Sequence, residues 1–268
     1  MRQKIFRLLP LSYLLFLTAC ISMPSFLSSP SENTDNTQQH FFSSFPSGGE
    51  LVVIGVAGRR SNPQETIRLA LENAAVKVGK YYRVGGEYAI QNYVGSGAFD
   101  YSHETHAVLH FDPESSKQYV ESLKYDIDID TFEYQNALFI RATYPASLPV
   151  PVSYRPGYNG EDRKPSWVEN PPIEIDGYKV GVGFSNRRSS MADAVNNSRD
   201  NAIFAIIKSI NTVTRSDSMM YMESGSLFGY KTSHENITYS FGTLDGFYVL
   251  DFWIDPKLLT VWTLAIAK

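Results

Sequence analysis

The most reactive side chain in this sequence is the thiol of its single cysteine, Cys20. A thiol can be a nucleophile or a metal ligand, but Cys20 ends the string Leu-Thr-Ala-Cys, directly after an apolar run over residues 8–17. Arg2, Lys4 and Arg7 precede that run, so the first residues have the charged and apolar regions of an export signal peptide. A bulky residue, two small residues and a cysteine resemble a bacterial lipobox. The pattern predicts that residues 1–19 are a signal peptide and that Cys20 is lipidated.

Charge and hydropathy narrow the partners of the remaining chain. Removal of residues 1–19 takes away three basic residues and no acids, so the formal net charge changes from −4 to −7. An acidic protein is a poor nucleic-acid binder, and no later stretch has the roughly 18 apolar residues of a transmembrane helix. Ile21, where Asp would retain a lipoprotein in the inner membrane of enteric bacteria, favours the outer membrane. We expect lipid-anchored domains that face the periplasm.

The segment after the lipobox predicts a flexible tether. Residues 20–48 are rich in Ser, Asn, Gln, Thr and Pro and show neither a helical nor a strand period. A coil of this length has an end-to-end distance of roughly 30 Å, which holds a folded domain clear of a lipid surface.

The rest of the chain repeats one pattern. The matches are Gly55-Val56 with Gly181-Val182, Arg59-Arg60-Ser61 with Arg187-Arg188-Ser189, Asn73-Ala74 with Asn201-Ala202, and Ser96-Gly97 with Ser224-Gly225. All but the first match share a spacing of 128 residues, and the first requires a two-residue insertion. Their common order predicts a tandem duplication.

The arginine pairs of the two copies are the candidate contact residues. Arg59 and Arg60 lie just before a predicted helix, and Arg187 and Arg188 recur at the same place. Positive charge near a helix N-terminus is mildly unfavourable, so its presence in both copies suggests contact with an acidic partner or a bound anion. Inheritance from one ancestral copy in a solvated turn is the alternative explanation.

Each copy predicts a strand followed by a helix. The strands LVVIGV and YKVGVG are apolar, and each helix begins with a capping-box pattern, Asn62 with Glu65 and Ser190 with Asp193. The apolar face of the first helix is Ile67, Leu71, Ala74 and Val78; that of the second is Val195, Ala202, Ile206 and Ile210, with Arg199 in place of Leu71.

Alternating apolar and polar residues then predict one-sided strands. The segments are THAVLHF, KYDIDID and ALFIRATY in the first copy and FYVLDFW and TVWTLAIA in the second. Each copy is therefore predicted as an α+β domain, with one helix packed on one face of a small antiparallel sheet. Aromatic residues on both faces of FYVLDFW suggest that a second surface, from the other copy or another molecule, covers this strand.

Two polar clusters are interpreted without a metal. Strand alternation places His103 on the face opposite His106 and His110, so these side chains do not converge as zinc ligands would. The acidic residues of KYDIDID resemble the start of a calcium loop, but the positions that need Gly and Glu hold Thr131 and Ala137. A polar strand face and a solvated strand edge explain these clusters.

No pattern for catalysis is present. The cysteine is assigned to lipid, no serine lies in a Gly-x-Ser-x-Gly elbow, and the glycines form neither a phosphate loop nor a dinucleotide fingerprint. We expect a protein that is not an enzyme and that needs no cofactor.

The segment ahead of the second copy resembles a known family. Residues 165–172 read Pro-Ser-Trp-Val-Glu-Asn-Pro-Pro and precede a glycine-punctuated strand and an Ala/Asn/Arg-rich helix. This arrangement is similar to the LPP-twenty family of bacterial outer-membrane lipoproteins, in which a P-x-W-x-x-N-P-P segment leads into such a strand and helix. The resemblance covers residues 165–268 directly and residues 49–145 only through the repeat, because the first copy lacks the Trp-containing segment.

The resemblance implies an envelope lipoprotein whose α+β domains bind other proteins or assemble with themselves. Some relatives are surface antigens, and others build disks or rings around the flagellar motor. The predicted boundaries are residues 49–145 and 174–268 for the domains and 146–173 for a Pro-rich linker. The alternative is an adaptor that presents a small ligand or a peptidoglycan fragment to another envelope machine, and a hydrolase is the third possibility.

Overall fold

A computed structural model describes residues 41–42, 50–95, 101–149, 152–160, 162–186, 190–222 and 230–268. In residues 92–95, 101–105, 213–222 and 230–236 the description covers only the backbone. Cys20, Arg187 and Arg188 lie outside the described residues, as do Ser96-Gly97 and Ser224-Gly225. Residues 35–268 form one compact unit. Within the described parts of that unit, no helix has both the length and the apolar character to cross a membrane.

The first copy contains one long helix and several strands. Its elements are β1 (Leu51–Gly58), α1 (Pro63–Tyr82), β2 (Val84–Gly95), β3 (Tyr101–His110), a 3-10 helix (Glu114–Ser122), β4 (Thr131–Tyr134) and β5 (Ala137–Tyr144). Helix α1 packs against β1 and β5.

A short connection leads to the second copy, which has the same series of long elements. The connection contains β6 (Tyr158–Asn159), β7 (Lys164–Pro165), α2 (Ser166–Glu169) and β8 (Glu174–Ile175). The second copy contains β9 (Tyr178–Ser185), α3 (Met191–Ile210), β10 (Thr212–Met222), β11 (Tyr230–Leu244), β12 (Tyr248–Ile254) and β13 (Val261–Ala267).

The sheets show the duplication in their strand order. One sheet has the order β1-β5-β4 and another has the order β12-β13-β9-β8, so each copy places its last strand between its first strand and the strand before the last. The hairpins β2-β3 and β10-β11 join in a further sheet of order β10-β11-β2-β3. All pairings are antiparallel, with Leu244 opposite Val84 where the copies meet. The predicted α+β fold, with two β-α units, is confirmed.

Glycines set the distance between strand and helix in both copies. A Cβ atom on Gly55 would lie 1.9 Å from the carbonyl oxygen of Ala70, and one on Gly183 would lie 1.8 Å from that of Ser198. Both glycines and both helix residues are 128 apart, as are the starts of α1 and α3. Gly55 therefore corresponds to Gly183, and the predicted match to Gly181 with a two-residue insertion was wrong.

Both helices begin where the capping residues predict. Asn62 accepts a hydrogen bond from the Gln64 N–H (3.0 Å), one residue earlier than a capping box requires. Ser190 accepts from the Asp193 N–H (3.0 Å) and donates its hydroxyl proton to the Asp193 carboxylate (2.6 Å).

The apolar faces of the helices largely match the sequence pattern. Leu71, Ala74 and Val78 are buried, as are Val195, Ala202 and Ile206. Ile67 is partly buried. Ile210 is 51% exposed, because it is the last residue of α3 and lies beyond the sheet that the helix covers.

The segment KYDIDID is a turn, so the predicted strand was wrong. Its carboxylates bond to nearby backbone N–H groups: Asp126 accepts from Asp128 (3.0 Å), and Asp130 accepts from Asp126 (2.8 Å). Such local bonds give the backbone an alternative to a strand ladder. Ile127 and Ile129 consequently lie exposed.

A β-bulge also corrects the predicted alternation in THAVLHF. The register of β2 and β3 shifts between Ala89 and Ile90, so that His106 lies opposite Ala89 and His103 lies opposite Gln91. Residues that are directly paired lie on one face of a sheet. The backbone register therefore places His103 on the same face as His106, because the bulge adds one residue to β3.

Segments outside the two copies complete the core. Phe42, in the predicted tether, is buried, and its ring lies 5.0 Å from that of Phe139 and 4.3 Å from that of Phe252. Phe139 belongs to the first copy and Phe252 to the second. Trp167, in the connection, is fully buried. The surface that covers Phe252 on FYVLDFW thus includes the other copy.

Candidate functional site

Arg59 and Arg60 lie in the turn between β1 and α1. The Arg59 N–H donates to the Asn136 carbonyl (2.9 Å), and the Arg60 N–H donates to the Thr66 hydroxyl (2.9 Å), so backbone bonds fix the turn. The Arg59 guanidinium lies 3.5 Å from the Glu133 carboxylate, and both side chains are about half exposed. An exposed pair of this kind contributes little to stability.

A shallow recess of about 140 Å³ lies beside Arg59. Its other side is the turn between β4 and β5, where Gln135 and Asn136 both have positive φ (50° and 61°), as the two-residue loop of a tight hairpin requires. Because Glu133 also lines the recess, it carries one charge of each sign. This arrangement favours a mixed polar contact over a simple anion site.

The shared sheet β10-β11-β2-β3 has one covered face. Tyr88 lies toward α3, with its ring 5.6 Å from that of Phe204 and 3.3 Å from the Lys208 ammonium. A Cβ atom on Gly86 would lie 2.9 Å from the Ile207 side chain. Helix α3 therefore covers this face closely.

The opposite face of the same sheet is exposed, and we call it the open face. Cross-strand pairing aligns Phe241, Glu87 and Val108 in one row, and Tyr239, Ala89 and His106 in the next. Phe241 is 52% exposed, Tyr239 45% and Val108 39%. These apolar side chains form a patch that no described element covers, and exposed apolar patches of this kind mark interaction sites.

Histidine side chains border the patch. The Glu87 carboxylate lies 3.1 Å from His110 Nε2 and 3.6 Å from His106 Nε2, and all three side chains are about half exposed. Within the residues whose side chains are described, no group of three or more His, Cys, Asp or Glu residues could hold a metal ion. The open face thus combines an apolar centre with a titratable, hydrogen-bonding border, as a protein interface does.

A groove of about 390 Å³ lies next to the open face, at the C-terminal end of α1. Tyr82 and Tyr119 stack along it with ring centroids 5.5 Å apart, and Arg83 and His110 also line it. The hydrogen bond from Tyr82, with burial, raises the pKa of Tyr144 behind them to about 12. Aromatic walls with a few polar groups suit a small organic ligand.

Asp251 on β12 is the buried carboxyl group nearest to the connection. It is 1% exposed and accepts hydrogen bonds from Trp167 Nε1 (3.0 Å) and the Tyr158 hydroxyl (3.5 Å). Burial raises its pKa to about 7, although the bond from Trp167 acts in the opposite direction. These bonds attach the Trp-containing segment to the second copy, so we assign Asp251 a structural role.

The structure separates the residues that the sequence grouped. It places Arg59 and Arg60 in an exposed turn, whereas Cys20, Arg187 and Arg188 lie outside the described part of the chain. Sequence reasoning missed the open face, because Tyr239 and Phe241 lie beyond the segments predicted as strands. The alternation of Tyr239, Phe241 and Thr243 with Ser240, Gly242 and Leu244 was the signal available.

Comparison with known proteins adds no relative to this description. No family model matches the chain, and searches of curated proteins and of solved structures gave no match.

Proposed function

We propose that this protein is a lipid-anchored outer-membrane lipoprotein with a non-catalytic structural or protein-interaction role in the bacterial envelope. The lipobox at Cys20 supports the anchor. Acyl chains contribute about 0.8 kcal/mol per buried methylene, and more than one chain gives a stable attachment. The domains face the periplasm in this proposal, where an anchored protein acts through the surfaces that it exposes.

The observation that carries the interaction role is the open face. Its three apolar side chains come from β3 and β11, so both copies contribute to one surface. The charged residue in the central row, Glu87, is bonded to histidines at the border. An interface of this composition loses little by desolvation, because its centre is apolar and its polar groups lie at the rim.

The strand order supports self-assembly as the form of that interaction. Strand β11 of the second copy pairs with β2 of the first, which is a head-to-tail contact between the two copies. The same sheet ends at β3 on one side and at β10 on the other. Long strand edges are ready to pair with another chain, and head-to-tail contacts build rings or filaments.

The open face is tested by polar substitution. We expect the double variant Tyr239→Ser, Phe241→Ser to reduce self-association of the lipid-free chain at least tenfold, because it removes the apolar centre. Sedimentation velocity over a concentration series measures this change. The matched control is Leu258→Ser, which changes an apolar side chain that is 73% exposed elsewhere. Equal association constants for the double variant and the control would refute the role of the open face.

The anchor is tested separately. Cys20→Ala is expected to move the protein from the outer-membrane fraction to other fractions and to remove the mass of the acyl chains. Cell fractionation and mass spectrometry of the N-terminal peptide measure the two effects. An unmodified Cys20 in the wild-type protein would exclude the anchor.

The aromatic groove favours a second function, that of a ligand-presenting adaptor. Its volume of about 390 Å³ suits a small organic molecule. A muropeptide is the probe: saturable stabilisation of the wild-type chain, lost in Tyr82→Ala, supports the adaptor, and an unchanged melting temperature excludes this ligand.

A further inference from the structure

A buried arginine occupies the position of an apolar residue in the other copy. Arg199 of α3 lies 128 residues after Leu71 of α1, and both side chains face the core. Arg199 is only 2% exposed. Arginine is almost never fully buried without a partner, so the exchange of Leu for Arg between two copies of one unit calls for a chemical reason.

The hydrogen bonds of Arg199 use only part of its guanidinium. Its Nη2 donates to the Ile54 carbonyl oxygen (2.8 Å), and the guanidinium lies 5.2 Å from the centre of the Phe252 ring. Its Nε and Nη1 are buried and have no acceptor among the described residues. A buried donor without an acceptor costs about 1–3 kcal/mol, and more when it is charged.

The surroundings of Arg199 have an excess of positive charge. Lys77 and Lys80 of α1 approach it, whereas the one carboxylate of the group, Asp200, is bonded to Lys80. Lys77 donates to the Asn196 side chain (2.9 Å). Burial, and then the charge of Arg199, lowers the pKa of Lys77 well below its usual value. Burial also lowers the pKa of Arg199, to about 9, so its guanidinium keeps its charge at neutral pH.

A small cavity lies against these cations. Its volume is about 20 Å³, and its lining comprises Val52, Val53, Ile54, Lys77, Arg199, Phe247, Tyr248 and Val249. The Tyr248 hydroxyl is already engaged with the backbone of Val52. One water needs at least about 10–15 Å³. The cavity is therefore large enough for a monatomic ion and too small for phosphate, a carboxylic acid or a sugar.

We propose that this cavity binds one chloride ion, held by Nε and Nη1 of Arg199 and by the charge of Lys77. A monatomic anion supplies the acceptor that the protein lacks, and it offsets the positive charge where two copies of the unit meet. Buried charges are stable only when they are paired and hydrogen-bonded. The chloride site is independent of the proposed interaction role, because it lies in the core and not on the open face.

Thermal unfolding of the full chain in detergent tests the site. The titration compares sodium chloride with sodium gluconate at equal ionic strength, because gluconate is too large for the cavity. We expect chloride to raise the melting temperature saturably by roughly 2–4 °C. Arg199→Leu, which copies the residue of the first repeat, should abolish the difference between the salts. The control Arg68→Leu, at an exposed arginine on α1, should keep it.

Bromide diffraction gives a second readout that does not depend on the variant. Crystals of the wild-type protein grown in sodium bromide should show an anomalous peak within hydrogen-bond distance of Arg199 Nε and Nη1. A water molecule at that position without anomalous signal would overturn the proposal, as would equal melting temperatures of the wild type in the two salts.

Discussion

At the scale of single residues, buried charge is the feature of this protein with the largest energetic consequence. Asp251 and Arg199 are both almost completely buried, and both lie in the second copy. Asp251 is bonded to Trp167, whereas its own chain neighbours Leu250 and Phe252 are apolar and fully packed. A sequence pattern shows that a charged residue stands in an apolar strand, but it does not show which distant side chain meets it.

Asp251 predicts a pH dependence of stability. Its folded pKa of about 7 lies above the unfolded value of about 3.9, so the folded state binds the proton more tightly. This contribution is fully present below about pH 4 and is lost as the pH rises through about 7. At 1.36 kcal/mol per unit, the loss amounts to about 4 kcal/mol.

The matched variant is Asp251→Asn, which keeps an acceptor for Trp167 and cannot ionise. We expect the free energy of unfolding of the wild type, relative to this variant, to fall by about 4 kcal/mol between pH 4 and pH 8. Urea unfolding at both pH values measures the difference. Parallel pH profiles for the two proteins would show that Asp251 does not titrate in this range.

At the scale of secondary-structure elements, the close contact between strand and helix defines the repeated unit. Gly55 and Gly183 allow α1 and α3 to touch the backbones of β1 and β9. We expect Gly55→Ala or Gly183→Ala to destabilise the protein by about 3 kcal/mol, because the added methyl group meets a backbone oxygen that cannot move freely.

Gly58 is the control for this prediction. It lies at the end of the same strand as Gly55, and a Cβ atom there would meet no atom within 4 Å. Gly58→Ala should therefore leave the free energy of unfolding unchanged or slightly higher. Chemical denaturation compares the three variants, and a loss at Gly58 equal to that at Gly55 would contradict the contact.

Local signals predicted some elements and failed at others for identifiable reasons. The caps Asn62 and Ser190 and the apolar periods of α1 and α3 were sufficient to locate both helices, because these interactions are local. The turn at Asp126–Asp130 was missed, because its alternating pattern is the same as that of a strand. The bulge near Ala89 was also missed, because a one-residue register shift depends on the partner strand.

At the scale of the whole molecule, the two copies are joined by a shared sheet and a shared core. Strands β2 and β11 pair over twelve residues, and Phe42 contacts an aromatic ring of each copy. The duplication was visible in the sequence, because it repeats residue types at one spacing. The pairing of β11 with β2, which creates the open face, is a long-range contact that neither copy encodes alone.

The central claim is that this chain acts by assembling with other protein chains through its exposed surfaces. The most direct measurement is the solution mass of residues 21–268, without lipid, by light scattering over a concentration series. The proposal predicts a discrete oligomer whose population grows with concentration and whose mass is a whole-number multiple of the chain mass. A mass that stays at that of one chain over the whole series would contradict self-assembly.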